Sequence, residues 1–202
     1  MLTKLGAKLC VNQSWSGRKV CDDLSVANST VNAIGKLCRE EGKTYTNLDG
    51  TTEIATEDVN PDIILILLGI NDWHADKPTT DMSFSSTPIL NPTSFTVSYE
   101  HLLKVTGQAY LTANIYCLTP TFSNFKYDFP KPNGADCKLF DYRKNIEDVA
   151  KEYECNVIHL DRLGVHGGNM AEFSDDRLHP NAQYMTMIAN QCYNEMMASN
   201  CL

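Results

Sequence analysis

Residues 63–68, Ile-Ile-Leu-Ile-Leu-Leu, form an unbroken apolar run entered from Asn60-Pro61-Asp62 and closed by Gly69. Side chains alternate across a strand, so a strand apolar at every position is buried on both faces. That environment belongs to a parallel sheet. Parallel neighbours need crossover connections, usually helices, so this run commits the chain to helices on two sides of a sheet. Weaker apolar runs at 7–11, 113–118 and 156–160 are separated by helical patterning. Tyr142, Ile146, Val149, Ala150 and Tyr153 mark one helical stripe, with Arg143, Lys144, Glu147 and Lys151 off it. Leu102, Leu103, Val105, Thr106, Ala109 and Tyr110 mark a second, for which Ser98 is the expected N-cap. A last helix starts at Pro180 or Asn181 and presents Met185, Ile188, Ala189, Cys192 and Met196, its methionines reading as core filler. The alternation predicts an α/β fold with a mainly parallel sheet.

A chain of 202 residues, 43% hydrophobic and 21% charged, suits one domain over residues 1–202. A net charge of −8 argues against nucleic acid and against an anionic membrane surface as partners, since both need clustered Lys and Arg. No apolar run approaches the roughly 20 residues that span a bilayer. Residues 1–9 carry lysines but lack a signal-peptide core and cleavage site. A soluble, cytoplasmic protein is therefore expected. The eight cysteines (Cys10, Cys21, Cys38, Cys117, Cys137, Cys155, Cys192 and Cys201) form no C-x-x-C and read as free thiols rather than a disulfide framework or zinc site. His74, His101, His159 and His166 are not at ligand spacings, so no metal is expected. Two long connections, 73–97 and 119–139, read either as functional loops or as surface insertions without a ligand role.

Three stretches carry candidate chemistry. Gly69-Ile70-Asn71-Asp72 comes directly after the buried run, where ligands bind outside the carboxyl ends of strands, and an amide fixed there can donate to an oxyanion. The same tetrapeptide is also ordinary turn chemistry. Gly17, after the first apolar run, allows close approach of its N–H to a substrate, or is a simple loop glycine. Asp176-Arg177-Leu178-His179-Pro180-Asn181 puts a carboxylate three residues before a histidine, the spacing of an acid–base relay or of a surface pair at a helix start.

In this order the three stretches resemble the SGNH hydrolases, the GDSL-like esterase and acylhydrolase family, over nearly the whole chain. The segment from Leu5 through Ser14-Trp15-Ser16-Gly17 is similar to the second sequence block with its preceding strand, and Leu178-His179-Pro180-Asn181 to the last block. The resemblance implies a flavodoxin-like three-layer α/β/α fold and attack on an ester by a serine. Gly17 N–H and the Asn71 amide would bind the oxyanion, His179 would act as base then acid, and Asp176 would orient it. The substrate would be a small-molecule or carbohydrate ester, with no cofactor.

The sequence departs from the family at its first block: Gly-Asp-Ser occurs nowhere in it. Residues 1–6 resemble the tail of the helix that comes after that block. The first, central strand, the nucleophile and most of the first helix are then expected to be missing or replaced. Either residues 7–11 would pair beside residues 63–68, or a second copy would complete the sheet as a homodimer. For function, four alternatives stand. The native protein is an ester hydrolase whose Gly-Asp-Ser lies upstream; the chain is an inactive remnant that binds a small molecule; Ser14 or Ser16 substitutes as nucleophile; or the domain binds a phosphorylated ligand, although it lacks a Gly-rich phosphate loop.

Overall fold

The computed structural model describes residues 5–12, 14, 16–21, 44–46, 53–55, 59–80, 93–128 and 130–199. Strands β1 (Thr44–Thr46) and β2 (Glu53–Ala55) form an antiparallel pair. Strands β3 (Ile63–Leu67), β4 (Asn114–Leu118) and β5 (Asn156–Ile158) form a parallel sheet in the order β3-β4-β5. The helices are α1 (Ile70–His74), α2 (Phe95–Ala109), α3 (Leu139–Glu152), α4 (Met170–Phe173) and α5 (Ala182–Ala198). Among the described residues, no helix is long and apolar enough to cross a membrane.

The period of two along each strand divides the interior into two layers. Ile66, Ile115 and Cys117 pack with Leu102 and Leu103 of α2 and Ile146 and Val149 of α3. Tyr116, Leu118 and Ile158 face the other way, against Met170 and Phe173 of α4 and Tyr184, Ile188, Cys192 and Met196 of α5. Helices therefore pack on both faces of the parallel sheet at β4 and β5, the α/β architecture predicted, but the expectation that residues 63–68 are buried on both faces is corrected: Leu65 and Leu67 of β3 are 39% and 48% exposed. The helix stripe from Tyr142 lies in α3, whose buried face is Leu139, Tyr142, Ile146, Val149 and Ala150. Met196 is buried, in keeping with core filling, whereas Met185 is 53% exposed on the outer side of α5.

Two further expectations are corrected. Residues 7–11 form no strand, and β4 is the only strand hydrogen-bonded to β3 among the described residues. Burial alternates residue by residue from Leu5 to Asn12, as in extended chain, but no position there is fully buried and Lys8 and Cys10 point to solvent. A half-exposed segment can satisfy its backbone with water, so burial does not force it into a ladder. Secondly, the N-cap of α2 is Ser94, not Ser98; Ser98 is one turn inside, where its Oγ donates to the Ser94 carbonyl at 2.7 Å. Cys38, Cys201, Phe129, Trp15 and residues 81–92 of the first long connection lie outside the described residues. Of the other cysteines, Cys21, Cys117, Cys137 and Cys192 are buried free thiols, Cys155 is half-buried and Cys10 exposed.

Candidate active site

The carboxyl end of β3 turns through Gly69, whose φ of 110° lies in the left-handed region. A Cβ there would also stand 3.2 Å from the Phe95 ring and 3.3 Å from Pro120, so only glycine fits both the backbone and the space. This sharp turn starts α1 at once and places Asn71 and Asp72 at the strand end. Asp72 is fully buried and accepts the backbone N–H groups of Val20 (3.0 Å) and Cys21 (2.8 Å). Burial raises the Asp72 carboxyl above its ordinary value, and these two amides pull against that shift. Asn71 uses one amide hydrogen on the Arg18 carbonyl at 2.9 Å. An amide carries two donors, so the second is available to a ligand.

These bonds fasten the loop bearing Gly17 to the start of α1. Gly17 is exposed with φ 74°, and among the described residues a Cβ built on it would meet nothing within 4 Å. The two predicted oxyanion donors thus flank one tie, since Gly17 immediately precedes the residue whose carbonyl holds Asn71. Ser14 and Ser16 are exposed on the same loop. Among the described residues, neither is hydrogen-bonded to His179.

Asp176 and His179 are joined directly: Asp176 Oδ2 lies 2.6 Å from His179 Nδ1. Asp176 Oδ1 accepts from Leu178 N (2.9 Å), His179 N (2.7 Å) and Ser174 Oγ (3.1 Å), an Asx-type turn closed by its own side chain. The intervening Arg177 adopts φ 65°, the left-handed conformation this tight turn requires. The bonds from the His179 ring and from the His179 and Leu178 amides hold the Asp176 carboxyl well below the usual carboxylate range. A carboxylate at Nδ1 favours the tautomer with its proton on that nitrogen, which has its lone pair on Nε2. Asn181 ties the turn to α5 and to α4. Its Oδ1 accepts Tyr184 N at 3.1 Å as the N-cap of α5, its Nδ2 donates to the Glu172 carbonyl, and its N–H donates to the Phe173 carbonyl.

The connection after β4 links the two halves, a role that its sequence does not announce. Ser123 Oγ (3.1 Å) and Asn124 N (3.3 Å) both donate to the Arg177 carbonyl. Two residues further on, Lys126 Nζ donates to the His74 carbonyl, Lys126 and Tyr127 donate to Asp76, and Gly134 N also donates to Asp76, at 2.7 Å. Asp76, with φ 58°, is the hub that receives them. Asn133 Nδ2 adds a bond to the Trp73 carbonyl. The only sequence signal is aromatic and turn-rich composition in a long loop; its partners are more than 50 residues away. Among the described residues, no group of three or more His, Cys, Asp or Glu side chains is arranged to hold a metal ion.

A family model described as the GDSL-like lipase/acylhydrolase family matches residues 6–185. Among solved structures, the chain is similar to a Lactobacillus plantarum protein at 16% identity and TM-score 0.69, covering 91% of this chain and 78% of that one. It is also similar to a protein described as a GDSL-like lipase from Bacteroides ovatus, at 20% identity and TM-score 0.64, covering 98% of this chain and 75% of that one. Another so described, from Bacteroides uniformis, matches at 21% identity and TM-score 0.59, over 93% and 68% of the two chains. No curated protein matches the chain. At these identities the structural likeness speaks to the fold.

Proposed function

Because the chain belongs to the GDSL-like lipase/acylhydrolase family, we propose that it supplies the oxyanion and acid–base groups of a serine ester hydrolase acting on acyl or acetyl esters, carbohydrate esters among them. The observation that carries this reading is the Asp176–His179 pair at 2.6 Å, bonded through Nδ1 so that Nε2 is left to work on a substrate. In the proposed reaction His179 Nε2 takes the proton of an attacking serine hydroxyl as that oxygen adds to the ester carbonyl. Gly17 N–H and the second Asn71 N–H receive the oxyanion that forms. Collapse of the tetrahedral species breaks the bond to the alcohol oxygen, which takes its proton from His179, and water then releases the acid by the same steps in reverse. Asp176 keeps the ring oriented and stabilises its charged form.

The serine of the family's first block is not among the 202 residues. That absence supports a second reading, a fold that binds a small ester or its products without turning them over. Hydrolysis of p-nitrophenyl acetate by the wild-type chain and by His179→Ala separates the two. With Ser14 or Ser16 as nucleophile, the hydrolase reading expects a rate above buffer that falls by about 10³-fold or more in the variant. Equal background rates in both favour the binding reading. Fluorophosphonate labelling of the wild type and of a Ser14→Ala, Ser16→Ala double variant asks whether either loop serine is the nucleophile. Labelling that persists in the double variant removes both from that role.

A further inference from the structure

Phe125 is 58% exposed, yet the residues around it are pinned in place. On one side Ser123 and Asn124 hold the Arg177 carbonyl, two residues before His179. On the other, Lys126 and Tyr127 hold Asp76, and Lys126 also holds the carbonyl of His74, three residues after Asn71. The Phe125 ring meets the His74 ring edge-on at 5.7 Å, and His74 in turn rests on Trp73 at 5.1 Å. With consecutive Cα atoms about 3.8 Å apart, Phe125 is only a few residue lengths from both halves of the site. An apolar ring on a well-fastened backbone has already lost most of its freedom, so covering it costs little further ordering entropy.

We propose that Phe125 determines specificity in this site by packing against the apolar portion of the ester. The inference rests on the ester-hydrolase reading and extends it to a substrate class: esters carrying a hydrocarbon group of several carbons on the acyl or the alcohol side. His74 supports the ring as a neutral neighbour, because burial pulls its imidazole down to about 4. Phe125 is not assigned to the bond-making step. Its removal therefore weakens binding of larger substrates and leaves the chemical step on small ones as it was.

The test compares Phe125→Ala with Leu111→Ala, another exposed apolar residue (88%) at the opposite, amino end of β4. Two ester series are used: p-nitrophenyl acetate, butanoate and hexanoate, and ethyl, butyl and hexyl acetate. In Phe125→Ala the KM of the longest member of one series rises about tenfold. The KM of the shortest member changes less than about twofold, kcat is retained, and Leu111→Ala has no effect. The series that responds identifies the acyl or the alcohol side. A rise equal across both series, no rise in either, or the same rise in Leu111→Ala overturns the proposal.

Saturation-transfer NMR with hexanoate and hexanol provides a readout that needs no turnover. Signal lost in Phe125→Ala but kept in Leu111→Ala, with no ester hydrolysed by the wild type, would sink the hydrolase reading and leave Phe125 as the binding residue. Hydrolysis indifferent to Phe125→Ala in both series would do the reverse.

Discussion

The Asn71–Asp72 corner and the Asp176–His179 turn, both assigned to the proposed reaction, are held by different means. Asp72 is buried and its partners Val20 and Cys21 lie about 50 residues away in the chain. The His179 and Asp176 side chains are 76% and 46% exposed, and every bond to the Asp176 carboxylate comes from within three residues, whereas the Arg177 carbonyl between them is held by Ser123 and Asn124 from far along the chain. The first region depends on the fold being formed; in the second the pairing itself is local, and the fold, through Ser123, Asn124 and Asn181, fixes where the turn sits. Oxyanion donors must be held rigidly against a reacting atom, which suits an interior anchor. A general base has to meet substrate and solvent, which suits an exposed turn whose carboxylate travels with it.

The largest expected effect comes from breaking the interior anchor. In Asp72→Ala the Val20 and Cys21 amides lose their acceptor inside the protein, at about 1–3 kcal/mol each. Urea denaturation should therefore show a loss of about 2–5 kcal/mol, and the Gly17 loop should lose protection from hydrogen exchange. A loss below about 1 kcal/mol would mean that water reaches those amides, and the corner would no longer differ in kind from the turn.

Changing the exposed turn gives a smaller effect of another sort. Asp176→Ala removes the acceptor for two exposed local amides, for which solvent can substitute, and for the hydroxyl of the buried Ser174. Stability should fall less than in Asp72→Ala. In ¹⁵N-detected spectra the His179 imidazole should lose the tautomer preference that the carboxylate imposes. If Asp176→Ala destabilises the protein as much as Asp72→Ala, the pairing is not local.

The same contrast explains what was legible in the sequence. The residue 63–68, 113–118 and 156–160 runs correspond to β3, β4 and β5 because apolar composition marks a sheet interior, although burial on both faces does not hold for β3, where Leu65 (39%) and Leu67 (48%) are exposed. In the last run residues 159 and 160 are exceptions, since β5 ends at Ile158 and the chain turns through His159 into a short 3₁₀ segment at Leu160–Arg162. The Asp176–His179 pairing was legible because three-residue spacing almost fixes it. Residues 7–11 misled because an apolar run says nothing about whether a ladder partner is available. Ser98 misled because a serine inside a helix can bond back to the preceding turn as readily as it can cap. Asp72, Asp76 and Ser123 carried no local signal, since each is defined by a partner brought near only by the fold.

The smallest effect tests how the connection after β4 joins the two regions. His74 sits between Trp73 and Phe125, and burial lowers its pKa from 6.5 to about 4, with Lys126 adding to the shift. Because the folded value is the lower one, the unfolded chain takes up a proton between those two pH values that the folded chain refuses. Stability is then complete above pH 6.5 and is lost as pH falls towards 4. His74 is partly exposed, so solvent screening reduces the expected loss to under about 1 kcal/mol. In His74→Gln, which keeps a polar group of similar size without titrating, the urea midpoint should fall less between about pH 7 and about pH 5 than in the wild type. Parallel midpoints would place the ring in contact with water, and the connection would then hold the two regions through the Arg177 carbonyl and Asp76 alone, without the aromatic contact beneath Phe125.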